Sequence, residues 1–408
     1  MNHHGDSNAP KVHTSPIITL APDSFKGTLA AHHATAALKK GLVEILPQAK
    51  IFECPMADGG EGTLQALQSA IPEGMLQPHV VSGASGLPKA THLFLCNIHQ
   101  HPAAVIEVAD VVGLTDAVAI AHPCGRRTTR GVGELIQVAL AQGIRAIYIG
   151  LGGSSTNDGG AGLLVALGAK LLDSEGQPIQ EASPAGLNRL AYIDCTALNP
   201  LLQETHLEIL SDVDNPLCGP HGATHTFGLQ KGLRRESERD RIDRDLAYFA
   251  TLAEQAMNQP LSVHNQPGAG AAGGLGFALQ LLGGTYTSGA NFMATLMSLP
   301  QNLAQSDWLI TGEGCSDRQT LRGKVPWVVA KMAPQGLRKT LLSGKIQPDA
   351  RETLQTVFED CYELLPESAC LFQTDRPSRE QCLDDTFAVM VRAGAELGRL
   401  WQRSQSSL

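Results

Sequence analysis

The stretch AIYIGLGGSSTNDGGAGLLVAL, residues 146–167, decides how this chain is read. Ala146 to Ile149 is a short apolar run of the kind a fully buried strand shows. GLGGSSTNDGGAG (150–162) then breaks it with residues that favour turns and close backbone approach. Leu163 to Leu167 resumes as a helix. Strand, glycine-rich loop and helix together make the repeating unit of an α/β fold with a largely parallel sheet.

The same unit recurs outward in both directions. Pro16 to Leu20 reads as a buried strand, Ala21 to Gly27 as its loop, and the next helix as capped by Thr28 and stopped by Gly41. Lys50 to Cys54, PMADGGEG (55–62) and a helix from Thr63 to Ser69 repeat the order. Thr129 to Gly143 is a helix. The strand His206 to Leu210 leads into SDVDNPLCGPHGA (211–223), and PGAGAAGGLG (267–276) opens a helix over Phe277 to Leu282. Trp308 to Ile310 leads through TGEGCSDRQTLRGK (311–324) to a helix over Pro326 to Met332, and a terminal helix spans Ser378 to Trp401. The run Arg234 to Asp245 is the solvated face of a further helix. Only Pro78 to Ile98 alternates as half-buried antiparallel strands do, which marks a change of domain near residue 78. Ligands in open α/β sheets collect at the carboxyl ends of strands, where most of these polar loops fall.

A chain of 408 residues is long for one domain and suits two. Its formal net charge of −9 and lack of a basic block argue against a nucleic-acid partner. No apolar run is long enough to span a membrane, and the first 14 residues read as a polar, flexible arm without a signal-peptide core. A cytoplasmic protein is expected. The nine cysteines are scattered without a Cys-x-x-Cys pair, so neither a disulfide framework nor a structural zinc site is indicated. The neighbouring histidines also lack partners at metal-ligand spacing.

Consecutive glycines and small hydroxyl residues ahead of a helix expose N–H groups, so loops 150–162 and 267–276 are candidate anion cradles. Neither is a Walker A sequence or a dinucleotide fingerprint. The loops also carry Asp23 with Lys26, Asp58 with Glu61, Asp158, Asp212 with Asp214, and Glu313 with Asp317 and Lys324. Taken singly, Asp23 reads equally as a turn cap and Asp158 and Asp214 as Asx-turn residues. Taken together, so many carboxylates around one pocket call for Mg²⁺ or a charged substrate. Gly-x-Ser-x-Gly and His-Glu-x-x-His are absent. Phosphoryl transfer is the reaction class that fits.

APDSFKG (21–27), MADGGEGT (56–63), GVGELI (131–136), GLGGSSTNDGGAG, DVDNPLCG (212–219), PGAGAAGGLG and ITGEG-x-x-D-x-QT-x-x-GK-x-P (310–326) occur in this order. In them the chain resembles the type I glycerate kinases, from about Ile17 to Ala333. The resemblance implies a flavodoxin-like parallel three-layer α/β domain formed by both chain ends, 15–77 and 290–402. A second, mixed-sheet α/β domain, 78–289, is then inserted in the middle. It implies Mg²⁺-dependent transfer from ATP to D-glycerate, usually at the 2-hydroxyl, giving 2-phosphoglycerate. A homodimer is compatible with the sequence and not required by it.

On that resemblance Lys26 faces the transferring phosphate and Asp158 orients or deprotonates the glycerate hydroxyl. Asp58, Asp214 and Asp317 are the Mg²⁺ candidates. Gly152, Gly153, Ser154, Ser155, Gly270 and Gly273 line anion sites, and Asp23, Ser24, Asn157 and Lys324 bind substrate. Two departures stand out. Cys315-Ser316 replaces an Arg-Ile pair usual in the family, with Arg318, Arg322 or Lys324 the nearby cations that could stand in, and Trp327-Val328 replaces smaller residues. The second departure is Leu341 to Arg376, which matches poorly, with Ser343-Gly344-Lys345 where an apolar strand and small turn are expected. A kinase for a related small hydroxy acid, or a weakly active binding module, is the alternative those changes leave open.

Overall fold

The structure is a computed structural model that describes residues 15–25, 27–318, 320–364 and 379–406. Two compact units divide the chain, one built from its ends (up to 55, 298–322 and from 326) and one from its middle (56–297 with 323–325). Among the described residues the first strands are β1 (Ile17–Pro22), β2 (Lys50–Glu53), β3 (Met75–Ser82), β4 (Pro88–Ile98), β5 (His101–Glu107) and β6 (Ala146–Gly150). They continue with β7 (Lys170–Leu172), β8 (Tyr192–Asp194), β9 (His206–Leu210), β10 (Thr285–Thr287), β11 (Trp308–Ser316), β12 (Arg338–Ile346) and β13 (Asp360–Glu363).

In the unit of the chain ends all five strands are parallel, in the order β13-β12-β11-β1-β2. Counted within the unit this is 2-1-3-4-5 read from the other edge, the flavodoxin order, and the strand order reverses between β1 and β11. Ile18, Leu20, Trp308, Ile310 and Leu342 form the buried floor, covered by Leu38 and Leu42 of the helix Ala31–Ile45 and Leu397 of the helix Arg379–Ser406. Each such side chain contributes roughly 1.5–3 kcal/mol by leaving water.

Three local expectations change here. The Thr28 hydroxyl donates to Phe25 O at 2.7 Å and closes a turn, so the helix begins at Ala31 without a side-chain cap. Gly41 does not stop the helix, which runs to Ile45. A Cβ at Gly41 would lie 1.9 Å from Val391 O, and one at Gly394 2.5 Å from Leu38 O, so these glycines let two helix backbones touch. Third, β11 runs well past Ile310 because Glu313, Cys315 and Ser316 stay paired with Ser343, Lys345 and Ile346 of β12. Ser343-Gly344-Lys345 therefore sits inside a strand. The expected departures from 365 to 376 lie outside the described residues.

The middle unit carries a six-stranded sheet, order β10-β9-β6-β5-β4-β3, and a small antiparallel β7-β8 pair. β3, β4 and β5 are antiparallel, as the alternation after residue 78 predicts, whereas β5, β6, β9 and β10 are parallel. Buried Ile242, Leu246, Phe249 and Ala253 recur every three or four residues along the helix Glu236–Ala256, and of its charged residues Glu254 is buried, accepting from His264 N at 2.9 Å. This unit begins at Met56 rather than near 78 because Glu107 of β5 accepts from Gly62 N at 3.2 Å and Leu64 N at 3.0 Å, tying the helix Thr63–Ala70 to the middle sheet.

Candidate active site

The four parallel strands of the middle sheet end in register, with Glu107, Gly150, Leu210 and Thr287 forming one row. Loops 151–160, 211–216 and 288–290 leave from that edge, and loop 56–62, which follows β2, packs against it. They pack closely enough to require glycine: Gly152 N donates to Gly59 O at 3.1 Å, and a Cβ at Gly152 would stand 2.5 Å from Gly60 Cα. Asp58 Oδ1 accepts from Gly60 N at 2.9 Å. Asp212 is exposed as a residue, but burial of its carboxyl head and the nearby Asp58 charge raise it to about 6, against hydrogen bonds from Ser288 and Ala290 N. Asp214 is exposed and makes no hydrogen bond or ion pair among the described residues.

Asp158 is fully buried, and its carboxylate accepts from Thr129 N and Oγ1 (both 2.8 Å), Gly160 N (3.1 Å) and Gly162 N (3.1 Å). Burial nonetheless raises its pKa, the four donors acting against that. With its oxygens spent on the starts of the helices Arg130–Ala141 and Ala161–Ala166, Asp158 ties two helix N-termini together.

The rest of the loop divides between inward and outward residues. Ser155 donates from both N and Oγ to Val112 O at 2.8 Å, and Asn157 Nδ2 donates to Thr224 Oγ1 at 2.9 Å, both residues being buried. Gly153 is exposed, and the N–H groups of Gly153 and Ser154 meet no acceptor among the described residues. Gly270 N and Gly273 N donate to Asn215 O and Gly270 O, and a Cβ at Gly273, whose φ is +69°, would lie 2.1 Å from Thr156 O. Close packing requires glycine at both positions.

In the unit of the chain ends, buried Asp23 follows β1 at the point where the strand order reverses, with Asp23 N donating to Gly312 O at 2.8 Å and Asp23 Oδ1 accepting from Ser24 N at 2.6 Å. Lys26 lies outside the described residues. Asp317 Oδ1 accepts from Thr320 N at 3.2 Å and caps a short turn. Buried Glu313 accepts from Ser316 Oγ at 2.9 Å and Thr320 Oγ1 at 2.6 Å. Cys315 is exposed beside Lys345, while Arg318 pairs with Asp349 at 3.0 Å and the side chain of Arg322 lies outside the described residues. Lys324 is half-buried just before the helix Val325–Met332, in which Lys331 Nζ sits 4.6 Å over the Trp327 ring.

Residues 18–394 match the sequence model of the glycerate kinase family. The chain belongs to the glycerate kinase family. A "Glycerate kinase" of Bacillus subtilis is 39% identical over 356 residues, 86% of this chain and 90% of that protein. A "Glycerate 2-kinase" of Escherichia coli is 38% identical over 334 residues, 81% of this chain and 86% of that protein. A crystal structure from Salmonella typhimurium LT2, assigned to glycerate kinase 2, superposes with a TM-score of 0.78 at 32% identity, covering 96% of this chain and all of that one. This glycerate kinase is therefore a phosphotransferase that acts on an alcohol group.

A kinase of this kind uses ATP, and the resemblance adds Mg²⁺. Among the described residues no three His, Cys, Asp or Glu gather as a metal site. Mg²⁺ asks for less, since it keeps several waters and takes one or two carboxylates. Asp58 and Asp212, two like charges crowding one strand edge, fit it as hard oxygen donors. Asp317 Oδ1 caps its own turn. Among the described residues no helix is long and apolar enough to cross a membrane.

Sequence reasoning passes over three groups of this glycerate kinase. Glu107 ends an apolar strand, and burial raises its carboxyl to about 7. Arg127 donates to the carbonyls of His122, Ser155, Lys231 and Ile120. Lys231, in a run without acidic neighbours, is buried behind Ser154. Nothing in the local sequence distinguishes a lysine turned inward from one turned to water.

Proposed function

We propose that this glycerate kinase transfers the γ-phosphoryl group of ATP, with Mg²⁺, to the 2-hydroxyl of D-glycerate, giving 2-phosphoglycerate and ADP. The observation that carries the choice of hydroxyl is the 38% identity to the E. coli glycerate 2-kinase over 81% of this chain. In the transfer, the bond from the γ-phosphorus to the β–γ bridging oxygen breaks, a bond to the glycerate O2 forms, and the hydroxyl proton is released. Such a reaction is carried mainly by positioning and by charge placed on the transferring group.

On this reading Asp58 and Asp212 would hold Mg²⁺, which when bound offsets the charge of the phosphates. The turn Gly152 to Ser154, exposed at Gly153, offers the N–H groups of Gly153 and Ser154 to an anionic group. Asp158 keeps that loop rigid by fixing both adjoining helices. Lys26, Asp23, Ser24 and Lys324 keep the phosphate- and substrate-facing roles that the resemblance gives them. The test is a coupled ADP-release assay with ATP, Mg²⁺ and D-glycerate, followed by phosphorus NMR of the product. A 2-phosphoglycerate signal is expected. A 3-phosphoglycerate signal, or turnover only with another small hydroxy acid, would overturn the assignment.

A further inference from the structure

Lys231 is 3% exposed and has no carboxylate within ion-pair distance among the described residues. Its ammonium donates to Thr156 O at 2.7 Å and to Ser154 Oγ at 3.2 Å. A buried ammonium without a counter-ion carries a desolvation cost that two such bonds offset only in part. A methionine would fill the same space without that cost, so packing alone does not account for the charge. Arg127, the other buried cation here, is occupied by four backbone carbonyls and does not share the task.

The direction of the second bond matters. Because Ser154 Oγ accepts from Lys231, its own proton is turned elsewhere, and a hydroxyl that receives a hydrogen bond from an ammonium becomes a stronger donor. The N–H groups of Gly153 and Ser154 stand next to it without acceptors among the described residues. Buried Thr156 Oγ1, a hydroxyl able to donate, also lacks a partner in the same loop, whereas the unpartnered Asn157 Oδ1 can only accept and adds nothing to an anion site. Successive unspent donors backed by a positive charge form an anion cradle.

We propose that Lys231 is a positioning residue acting through Ser154, whose polarised hydroxyl joins the Gly153 and Ser154 N–H groups to bind an anionic group of the substrates, a carboxylate or a phosphoryl group. The inference rests on the reading of the Gly152-to-Ser154 turn as an anion site of the kinase reaction. Burial lowers Lys231 to about 8, with Cys124 and Asp158 raising it and Arg127 lowering it further. The ammonium, and with it the polarisation of Ser154, is therefore lost as the pH rises through that value.

Steady-state kinetics of the full chain test this with Ser154→Ala, Lys231→Met and the double variant, varying D-glycerate and ATP separately between pH 6.5 and 9. Each single change should raise one KM about tenfold or more, as loss of a charge-assisted bond does, and leave kcat within about threefold. The double variant should be no worse than the worse single one. The wild-type KM should rise above about pH 8, and Ser154→Ala should flatten that rise. A rise in KM for D-glycerate identifies the anion as its carboxylate, and a rise for ATP identifies a phosphoryl group. Additive effects, an unchanged KM for both substrates in Ser154→Ala, or a pH rise that survives in it would overturn the proposal. Ser154→Ala removes only a hydroxyl, so it decides the matter even where Lys231→Met does not fold. Absence of wild-type turnover with D-glycerate would instead sink the kinase reading. Calorimetric titration of D-glycerate and of ATP then judges the relay, with equal affinities in wild type and Ser154→Ala, or no binding of either, overturning it.

Discussion

The loop at 150–162 and the end of the β11–β12 ladder are both written in small and polar residues, and they use them in opposite ways. In the loop, the side chains of Ser155, Asn157 and Asp158 face the protein, and the close approach of Gly152 to Gly60 leaves no room for change. At its exposed turn, Gly153 and the adjoining Ser154 keep N–H donors to spare. Along the ladder, residues that depart from the family pattern stand opposite one another: Cys315 beside Lys345, Ser316 Oγ 2.6 Å from Ser343 Oγ, and Gly344 against Gly314. Two separate anomalies in the sequence are one substitution in space. A motif with the strongest sequence signal can owe most of it to packing, and a motif that looks damaged can be internally consistent.

The sharpest way to break this contrast is Gly273→Ala. A methyl group there meets Thr156 O in a backbone conformation unsuited to alanine, so urea denaturation should show a loss of about 4 kcal/mol or no folded protein. A loss under about 0.5 kcal/mol would mean that the loop can yield. Asp158→Asn should come next, at about 3 kcal/mol, because one amide cannot accept from all four donors. Near-native stability together with a kcat reduced about 100-fold would favour the role as a base that the resemblance implies and undo the structural one.

Glu107 sharpens the contrast through pH. Its carboxyl holds a proton up to about 7 in the folded chain, against 4.5 when exposed, so the folded state binds more protons between those values. Stability should therefore fall as pH rises from about 4.5 to 7, and Glu107→Gln should flatten that slope by about 2 kcal/mol over the interval. Parallel denaturation curves for the two proteins at every pH would refute it. The smallest effect belongs to Cys315→Arg. The site is exposed and Lys345 already places a cation beside it, so stability should change by less than about 0.5 kcal/mol and the KM for D-glycerate by less than about threefold. A tenfold drop in KM would show that the ladder has lost a working charge.

What could be read in the sequence follows from what each residue type signals. Apolar runs such as Ala146 to Ile149 and the alternation after Pro78 mark strands directly, and the order of the loops places the family. Gly41 misleads because a glycine that ends a helix and one that lets two helices touch are spelled alike. Glu313 to Ser316 reads as loop because its polarity is satisfied by hydroxyls from Ser316 and Thr320 that only the folded chain brings near. Asp158 announces importance without announcing direction, and Lys231 announces nothing, since both roles depend on which way a side chain turns.

The pairing of β1 with β11 sets a timetable for the making of this protein. Ile17 N bonds Asp307 across 290 positions, so β1 leaves the ribosome long before its β11 neighbour and lacks it until some 290 further residues are made. At about 5–20 residues per second that is a wait of roughly a quarter of a minute to a minute. Meanwhile Leu38 and Leu42 have no C-terminal helix to cover them, whereas residues 56–297 can assemble as they emerge. Of the two units, the one begun with β1 is completed only after residues 56–297 have been made.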